Sequence, residues 1–346
     1  MEASRNPFVP VRGATPLRLF GRELQWQALR AYLGQLQEAR GAAALLVTGM
    51  RGSGKSALLQ AAAREAAGLG LMPVVVSAGA DLPLTTALRT GLRSSLLLAG
   101  DESLARRPLT ASPELLPLLL ALAARSAGVL ICINHAQRLE RSELQLLLDA
   151  LRAARIQQPR IGLLATALPG TTSPIHREDL PGLDQNVVTL PPLTELAAAE
   201  LLVATALPRG VKFEASALAA LVTEGRGHPL TLQQLGASAW LLTESTPVRL
   251  ATAQRAISHA RLQLGGSFHG WRQHRLGRQE QQYLRAMAEL GADSLRSGEI
   301  AAQLGRKVTA LAPTRSALIA KELLYSPRYG ETAFTTPGYS AYLLRT

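Results

Sequence analysis

The sequence predicts an α/β chain built on a parallel sheet, followed by an all-helical segment and a small basic C-terminal unit. Three observations carry this. Four short apolar runs alternate with helix-period segments over the first half. A glycine-rich turn joins the first run to a helix. Strand signals then stop after Val187–Leu190 until near the C-terminus. Aromatics are 4% of the 346 residues, so the core is mostly Leu, Ala and Val, which favours helices. With 47% hydrophobic and 18% charged residues the chain can bury a sizeable core, which excludes wholesale disorder.

The elements follow in order. Residues 1–17 are rich in Pro, Gly and Arg and read as an extended lead. Arg22 to about Arg40 has helical period. Ala43 to Thr48 is a short apolar strand, and Ser56 to Ala67 reads as helix. Met72 to Ser77 is a second strand with three consecutive valines. Pro83–Leu98 and Pro113–Ser126 read as helices. Within the second, Leu115–Ala124 is about half the length needed to span a bilayer, so a buried helix is expected and no membrane partner. Gly128–Ile133 and Ile161–Thr166 are the third and fourth strands, flanking an amphipathic helix over Leu139–Arg155. Residues 194 to about 262 are helical, with breaks at Pro208–Gly210 and Gly225–Pro229. The expected domains are 18–193 for the sheet, 194–264 for a helical lid and 265–346 for the C-terminal unit.

The C-terminal unit is read as three helices and a hairpin, the parts of a winged helix. Arg278–Leu290 places Tyr283, Leu284, Met287 and Leu290 on one face. Ser297 is expected to cap a second helix ending at Gly305. Pro313 is expected to open a third helix running to Tyr325, and a hairpin turns near Tyr329–Gly330. Residues 265–346 hold eleven Lys/Arg and six Asp/Glu. The whole chain carries +12, which points to a polyanionic partner, duplex DNA first. Thr314, Arg315 and Lys321 on the third helix are then candidates for groove contact, and Arg306, Lys307 and Arg328 for phosphate contact. Protein docking is the competing use of such a unit. The single cysteine, Cys132, lies in an apolar strand, is read as a packing residue, and suits a cytoplasmic setting. The histidines and the cysteine show no zinc-ligand spacing.

The sharpest motif is Gly49-Met50-Arg51-Gly52-Ser53-Gly54-Lys55-Ser56, which fits G-x-x-x-x-G-K-[ST] between a buried strand and a helix. Its glycines let backbone N–H groups turn toward phosphates, and the helix start adds its positive dipole end. Lys55 is expected to bridge the terminal phosphates of ATP, and Ser56 to hold Mg²⁺.

Phe20-Gly21-Arg22-Glu23, upstream of this loop, resembles the box that opens AAA+ ATPases of the origin-recognition type and their STAND relatives. Gly128–Leu139 resembles their Walker B strand, Ile161–Gly170 their sensor-1 strand, Leu190–Leu202 the start of their lid, and Gly225–Leu235 the lid's G-x-P segment. The resemblance covers about residues 18–346. It implies a P-loop NTPase sheet with a helical lid and a winged helix, and a place for Gly21 and Arg22 beside the adenine and ribose. It also implies Asp-Glu at the end of the third strand, where Asn134-His135 stand instead. An amide lacks the negative charge a hard cation prefers. The expectation is an ATP-binding regulator with weak or absent hydrolysis, acting as a homo-oligomer or beside an active ATPase. The alternatives are an ATPase completed in trans and a signalling scaffold whose C-terminal unit binds protein. Thr166 is placed where sensor 1 would lie, or is an ordinary strand residue. Arg177 is an arginine finger or a solvated surface residue. Arg226 would have to serve as sensor 2, since Leu230 follows the G-x-P. His228 is read as a capping or packing residue.

Overall fold

The computed structural model describes residues 5–10, 18–40, 44–79, 82–98, 100, 115–170, 187–265 and 276–345. Arg177 and most of the extended lead lie outside the described residues. The elements are α1 (Glu23–Gln37), β1 (Ala44–Gly49), α2 (Lys55–Gly68), β2 (Leu71–Ser77), α3 (Leu84–Leu98), α4 (Leu115–Ala123), β3 (Gly128–Asn134), α5 (Arg141–Gln157), β4 (Ile161–Ala167) and β5 (Val187–Leu190). All strand pairs are parallel, in the order β2-β3-β4-β1-β5. β1 and β3 thus both border β4, and their C-terminal ends open on the same edge of the sheet.

β3 and β4 are near-continuous apolar runs because helices cover both faces. On one face Leu88, Leu92, Leu119, Leu147 and Leu148 of α3, α4 and α5 pack against Ile131, Ile133 and Leu163. On the other, Leu29 and Leu33 of α1 and Leu58, Leu59 and Ala62 of α2 pack against Leu45, Val47, Cys132 and Leu164. Cys132 is fully buried, and burial pushes its thiol up to about 12, so it is inert packing. The carboxylate of Glu143 on α5 accepts the Leu84 N–H at 2.7 Å, which fixes the start of α3.

The helical segment comprises α6 (Glu195–Ala206), α7 (Ala215–Gly225), α8 (Pro229–Leu242) and α9 (Leu250–Gln263). Thr194 caps α6 by accepting the Ala197 N–H at 3.2 Å. Leu202, Leu221, Leu232, Trp240 and Ala253 make its separate core. Among the described residues no helix is long and apolar enough to cross a membrane.

The C-terminal unit comprises α10 (Arg278–Leu290), β6 (Leu295–Arg296), α11 (Ser297–Gln303), α12 (Val308–Ala320), β7 (Leu324–Tyr325), β8 (Glu331–Phe334) and α13 (Tyr339–Leu343), with the antiparallel order β6-β8-β7. Tyr283, Leu284, Ile300, Leu318 and Tyr339 form its core. Two local expectations change here. Ser297 is the first helical residue of α11; the Glu299 carboxylate accepts the Arg296 N–H at 2.6 Å, and the Ser297 hydroxyl donates to Gly330 O at 3.1 Å. Pro313 lies inside α12, which begins at Val308. The packing of Leu311, Thr314 and Leu318 on one stripe sets the helix, and Pro313 sits on its exposed side, where water can serve the freed carbonyl.

Candidate functional site

The loop joining β1 to α2 is shaped by Gly52 and Gly54, both in the left-handed region at φ +74° and +99°. Side chains and backbone from three other parts of the chain grip its outer side. Arg22, buried, donates through Nη2 to Ser53 O at 3.1 Å. His228 Nε2 hydrogen-bonds Arg51 O, while His228 Nδ1 pairs with the Thr231 hydroxyl at 2.9 Å. Leu230 N–H donates to Gly52 O at 3.2 Å, and Arg51 N–H donates to Thr335 O at 3.1 Å. Gly52 is needed for this approach: a Cβ there would lie 2.6 Å from His228 Cε1 and 2.8 Å from Leu230 Cβ.

With these carbonyls bonded outward, the N–H groups of Gly52, Gly54, Lys55 and Ser56 carry no hydrogen bond among the described residues. They form a cluster of donors at the start of α2, the arrangement a phosphate chain fits. Space over Gly54 is open, since a Cβ there would meet nothing within 4 Å. Lys55 is buried and donates to Gly49 O at 2.6 Å and Met50 O at 2.8 Å. Burial, then the charge of Arg51, pulls its ammonium down to about 7, against a smaller raising effect of Glu322.

Across from the loop, Asn134 Oδ1 at the end of β3 accepts from the Ser56 hydroxyl at 3.0 Å and the Thr166 hydroxyl at 2.8 Å. Thr166 Oγ1 in turn accepts the His135 N–H at 3.1 Å. The sequence candidates Ser56, Asn134, His135 and Thr166 are thereby brought together by three strand or loop ends. His135 adopts φ +61°, and burial, with Arg138 next, lowers its imidazole to about 4, so the ring is neutral near pH 7. Among the described residues, no cluster of three or more His, Cys, Asp or Glu offers a metal site. A divalent ion here would rest on the Ser56 hydroxyl, a neutral amide oxygen and the oxygens of a phosphate ligand. Asp149 is exposed on α5, bonded to Gln145 and Arg152, and is not part of the cluster.

Other candidates are placed elsewhere. Gly21 packs on the lid: a Cβ there would lie 2.6 Å from Ala197 Cβ. Arg226 is exposed at the end of α7 and lines a cavity with Glu224, Thr231 and Tyr342. Of the six basic-unit candidates, Arg306, Lys307, Lys321 and Arg328 are exposed. Thr314 is buried in the core side of α12. Arg315 bonds inward to the Thr332 hydroxyl at 2.8 Å, to Glu331 O at 3.0 Å and to Ser326, and Lys321 pairs with Glu280 at 2.7 Å. Thr314 and Arg315 hold the unit together, while Lys321 pairs with Glu280 at the surface.

Sequence reasoning missed one residue of the site. Glu322, buried, lies beyond the end of α12 and reaches the sheet edge. Its carboxylate accepts from Gln137 at 2.8 Å, from Arg138 twice at 2.7 Å and from Arg51 of the loop. Burial alone would raise its carboxyl; the Arg138 hydrogen bonds, the charges of Arg51 and Arg138 and the Gln137 amide outweigh this and hold it at about 2. The sole hint in the sequence is a glutamate where a helix end favours glycine.

Residues 18–164 match the family model of the AAA ATPase domain, and residues 266–343 match that of a domain of unknown function (DUF8462). No curated protein matches in sequence. Among solved structures, the chain is similar to the Walker-type ATPase PABY2304 of Pyrococcus abyssi, with a TM-score of 0.68 at 16% identity over 94% of this chain and 96% of that one. It is also similar to Cdc6p of Pyrobaculum aerophilum, at 0.56 and 16% over 100% and 97%. A third is the RuvB Holliday junction branch migration motor of Thermotoga maritima, at 0.51 and 16% over 94% and 95%. At such identities these likenesses establish the fold. The parallel five-stranded sheet with helices on both faces is that of P-loop ATPases, and residues 18–164 form an AAA ATPase-type domain.

Proposed function

We propose that the chain is an ATP-binding regulator in which triphosphate affinity is kept and hydrolysis is weak or lost. The amides of Gly52, Gly54, Lys55 and Ser56, with the Lys55 ammonium, would hold the phosphates, and Ser56 would hold Mg²⁺. Bound Mg²⁺ would supply charge neutralisation between the phosphates. Gly49, Met50, Arg51 and Ser53 shape the cradle, and Arg22, with Gly21, fixes its outer side.

The observation that carries the reading is the acceptance of both the Ser56 and Thr166 hydroxyls by Asn134 Oδ1. A carboxylate could make the same two bonds and add a charge; the amide makes them without it. His135 follows in a neutral state and on a left-handed backbone, so no charged base stands over the cleft from β3. Equilibrium binding and turnover of MgATP test this. Wild type should bind with little turnover, Lys55→Ala should bind at least about 100-fold more weakly, and Asn134→Asp with His135→Glu should turn over. Fast wild-type turnover would overturn the degenerate site and favour the active-ATPase alternative.

A second element of the proposal is duplex DNA as partner, carried by the net +12 of the chain and by exposed Arg306, Lys307 and Arg328. The winged-helix reading of residues 276–345 is supported by three helices and the β6-β8-β7 sheet. With Thr314 and Arg315 engaged internally and Lys321 paired with Glu280 at the surface, backbone contact is favoured over base reading. A homo-oligomer, or a hetero-oligomer with an active ATPase, remains the natural setting for a subunit that binds without hydrolysing.

A further inference from the structure

An ATP site is a site for negative charge, yet the strongest carboxylate beside this loop comes from the far end of the chain. Glu322 and Arg51 are 271 positions apart, and the pair is buried, with side chains 9% and 13% exposed. The contact has two prongs. Glu322 takes the Arg51 guanidinium, and Thr335 O takes the Arg51 N–H, so one phosphate-loop residue is held at both its side chain and its backbone. The prongs are joined to each other. The Thr335 hydroxyl donates to Glu322 O at 2.7 Å, and Thr335 N–H donates to Leu323 O at 3.0 Å. Arg138, just past β3, adds two bonds to the same carboxylate. Glu322 itself stands at φ +56°, a backbone state that suits glycine and is held here by the contact.

The charges around the loop give the contact its sense. Arg51, Arg138 and Lys55 are cationic groups. The end of β3, with Asn134 and His135, supplies no negative charge, and Glu322 supplies one. A triphosphate in the cradle would bring further negative charge against the same arginines in a partly buried setting, where like charges repel strongly. Arg51 and Glu322 both lie close enough to Lys55 to act on its charge, so Glu322 and a triphosphate would repel each other across the same cations.

We propose that Arg51 and Arg138 form an anion receptor at the phosphate loop, that Glu322 with Thr335 is its internal ligand, and that a nucleoside triphosphate competes with this ligand and loosens residues 322–336 from the sheet. The inference rests on the nucleotide reading above and adds its regulation. Reciprocity follows: whatever holds the C-terminal unit away from the loop raises nucleotide affinity by the same factor.

The test uses the full chain and MgATP. Glu322→Gly and Glu322→Asn both remove the carboxylate and both suit a left-handed position, so the unit keeps its fold, checked by thermal unfolding. Each variant should bind MgATP about tenfold more tightly than wild type by calorimetry, within the usual range of such couplings. In wild type, saturating MgATP should speed amide hydrogen exchange at Arg51 and over residues 323–336. Equal or weaker binding by the two folded variants, or slower exchange in those segments with MgATP, would overturn the competition. Absence of MgATP binding by wild type and variants alike would remove the nucleotide reading itself, an outcome distinct from equal binding.

Discussion

The loop after β1 and the end of β3 face one cleft, and they differ in what they offer an anion. The loop presents a row of unpaired amides, a buried lysine and a serine hydroxyl. The strand end presents an amide oxygen and a neutral imidazole. On the proposed reading the first set would hold phosphates, through fixed N–H dipoles and the Lys55 side chain. The second set keeps the hydrogen-bond geometry of the cleft without its charge. Asn134 satisfies both the Ser56 and the Thr166 hydroxyls, and on the proposed reading this contrast would separate grip from cleavage.

The largest expected effect restores the second set. Asn134→Asp with His135→Glu should raise MgATP turnover by about 10²–10⁴-fold, the usual contribution of a positioned base. Steady-state phosphate release measures it, and an unchanged rate would mean that the cleft lacks more than this pair. Next comes the first set. Lys55→Ala removes charge-assisted bonds worth about 1.5–3 kcal/mol each, so MgATP affinity should fall at least about 100-fold, read by calorimetry.

The two sides of the cleft were unequally legible in the sequence. The loop is local: eight consecutive residues specify its turn, its cation and its hydroxyl. The sheet was legible too, because β3 and β4 are apolar runs of a length that suits buried strands. The meeting of Ser56, Asn134 and Thr166 needs the β3-β4-β1 order, which the hydrophobic pattern alone does not contain. The start of α12 was misplaced because Pro313 is a strong local signal and the packing of Leu311 and Leu318 overrode it. Glu322 was invisible because nothing near it in sequence marks Arg51 as its partner.

A pH scan sharpens the comparison from the lid side. His228, on the outer flank of the loop, is neutral because burial, against its bond to Arg51 O and together with the charges of Lys55 and Arg22, lowers its imidazole from 6.5 to about 4. A depressed value in the folded state means that the unfolded chain binds the proton first. Stability should therefore be full above about pH 6.5 and fall toward about pH 4, by on the order of 3 kcal/mol for this group. Denaturant midpoints of wild type and His228→Asn should converge as pH falls through that window. A constant gap between them would place the acid sensitivity elsewhere, for instance in Glu322, whose contribution is lost lower, between about 4.5 and about 2.

The smallest effects separate the two kinds of basic residue in the C-terminal unit. Arg328 lies exposed beyond β7, whereas Arg315 is bonded to Thr332, Ser326 and Glu331 O. Arg328→Ala should leave the melting temperature unchanged, weaken binding to a generic duplex a few-fold, and reduce the slope of log affinity against log salt by about 1. Arg315→Ala should do the reverse: it strips a half-buried hydrogen-bond network and lowers the melting temperature. Its duplex affinity should stay constant at temperatures where it remains folded. A duplex affinity that ignores both Arg328 and salt would shift the C-terminal unit from nucleic acid to protein docking, because released counterions are the signature that phosphate contact cannot avoid.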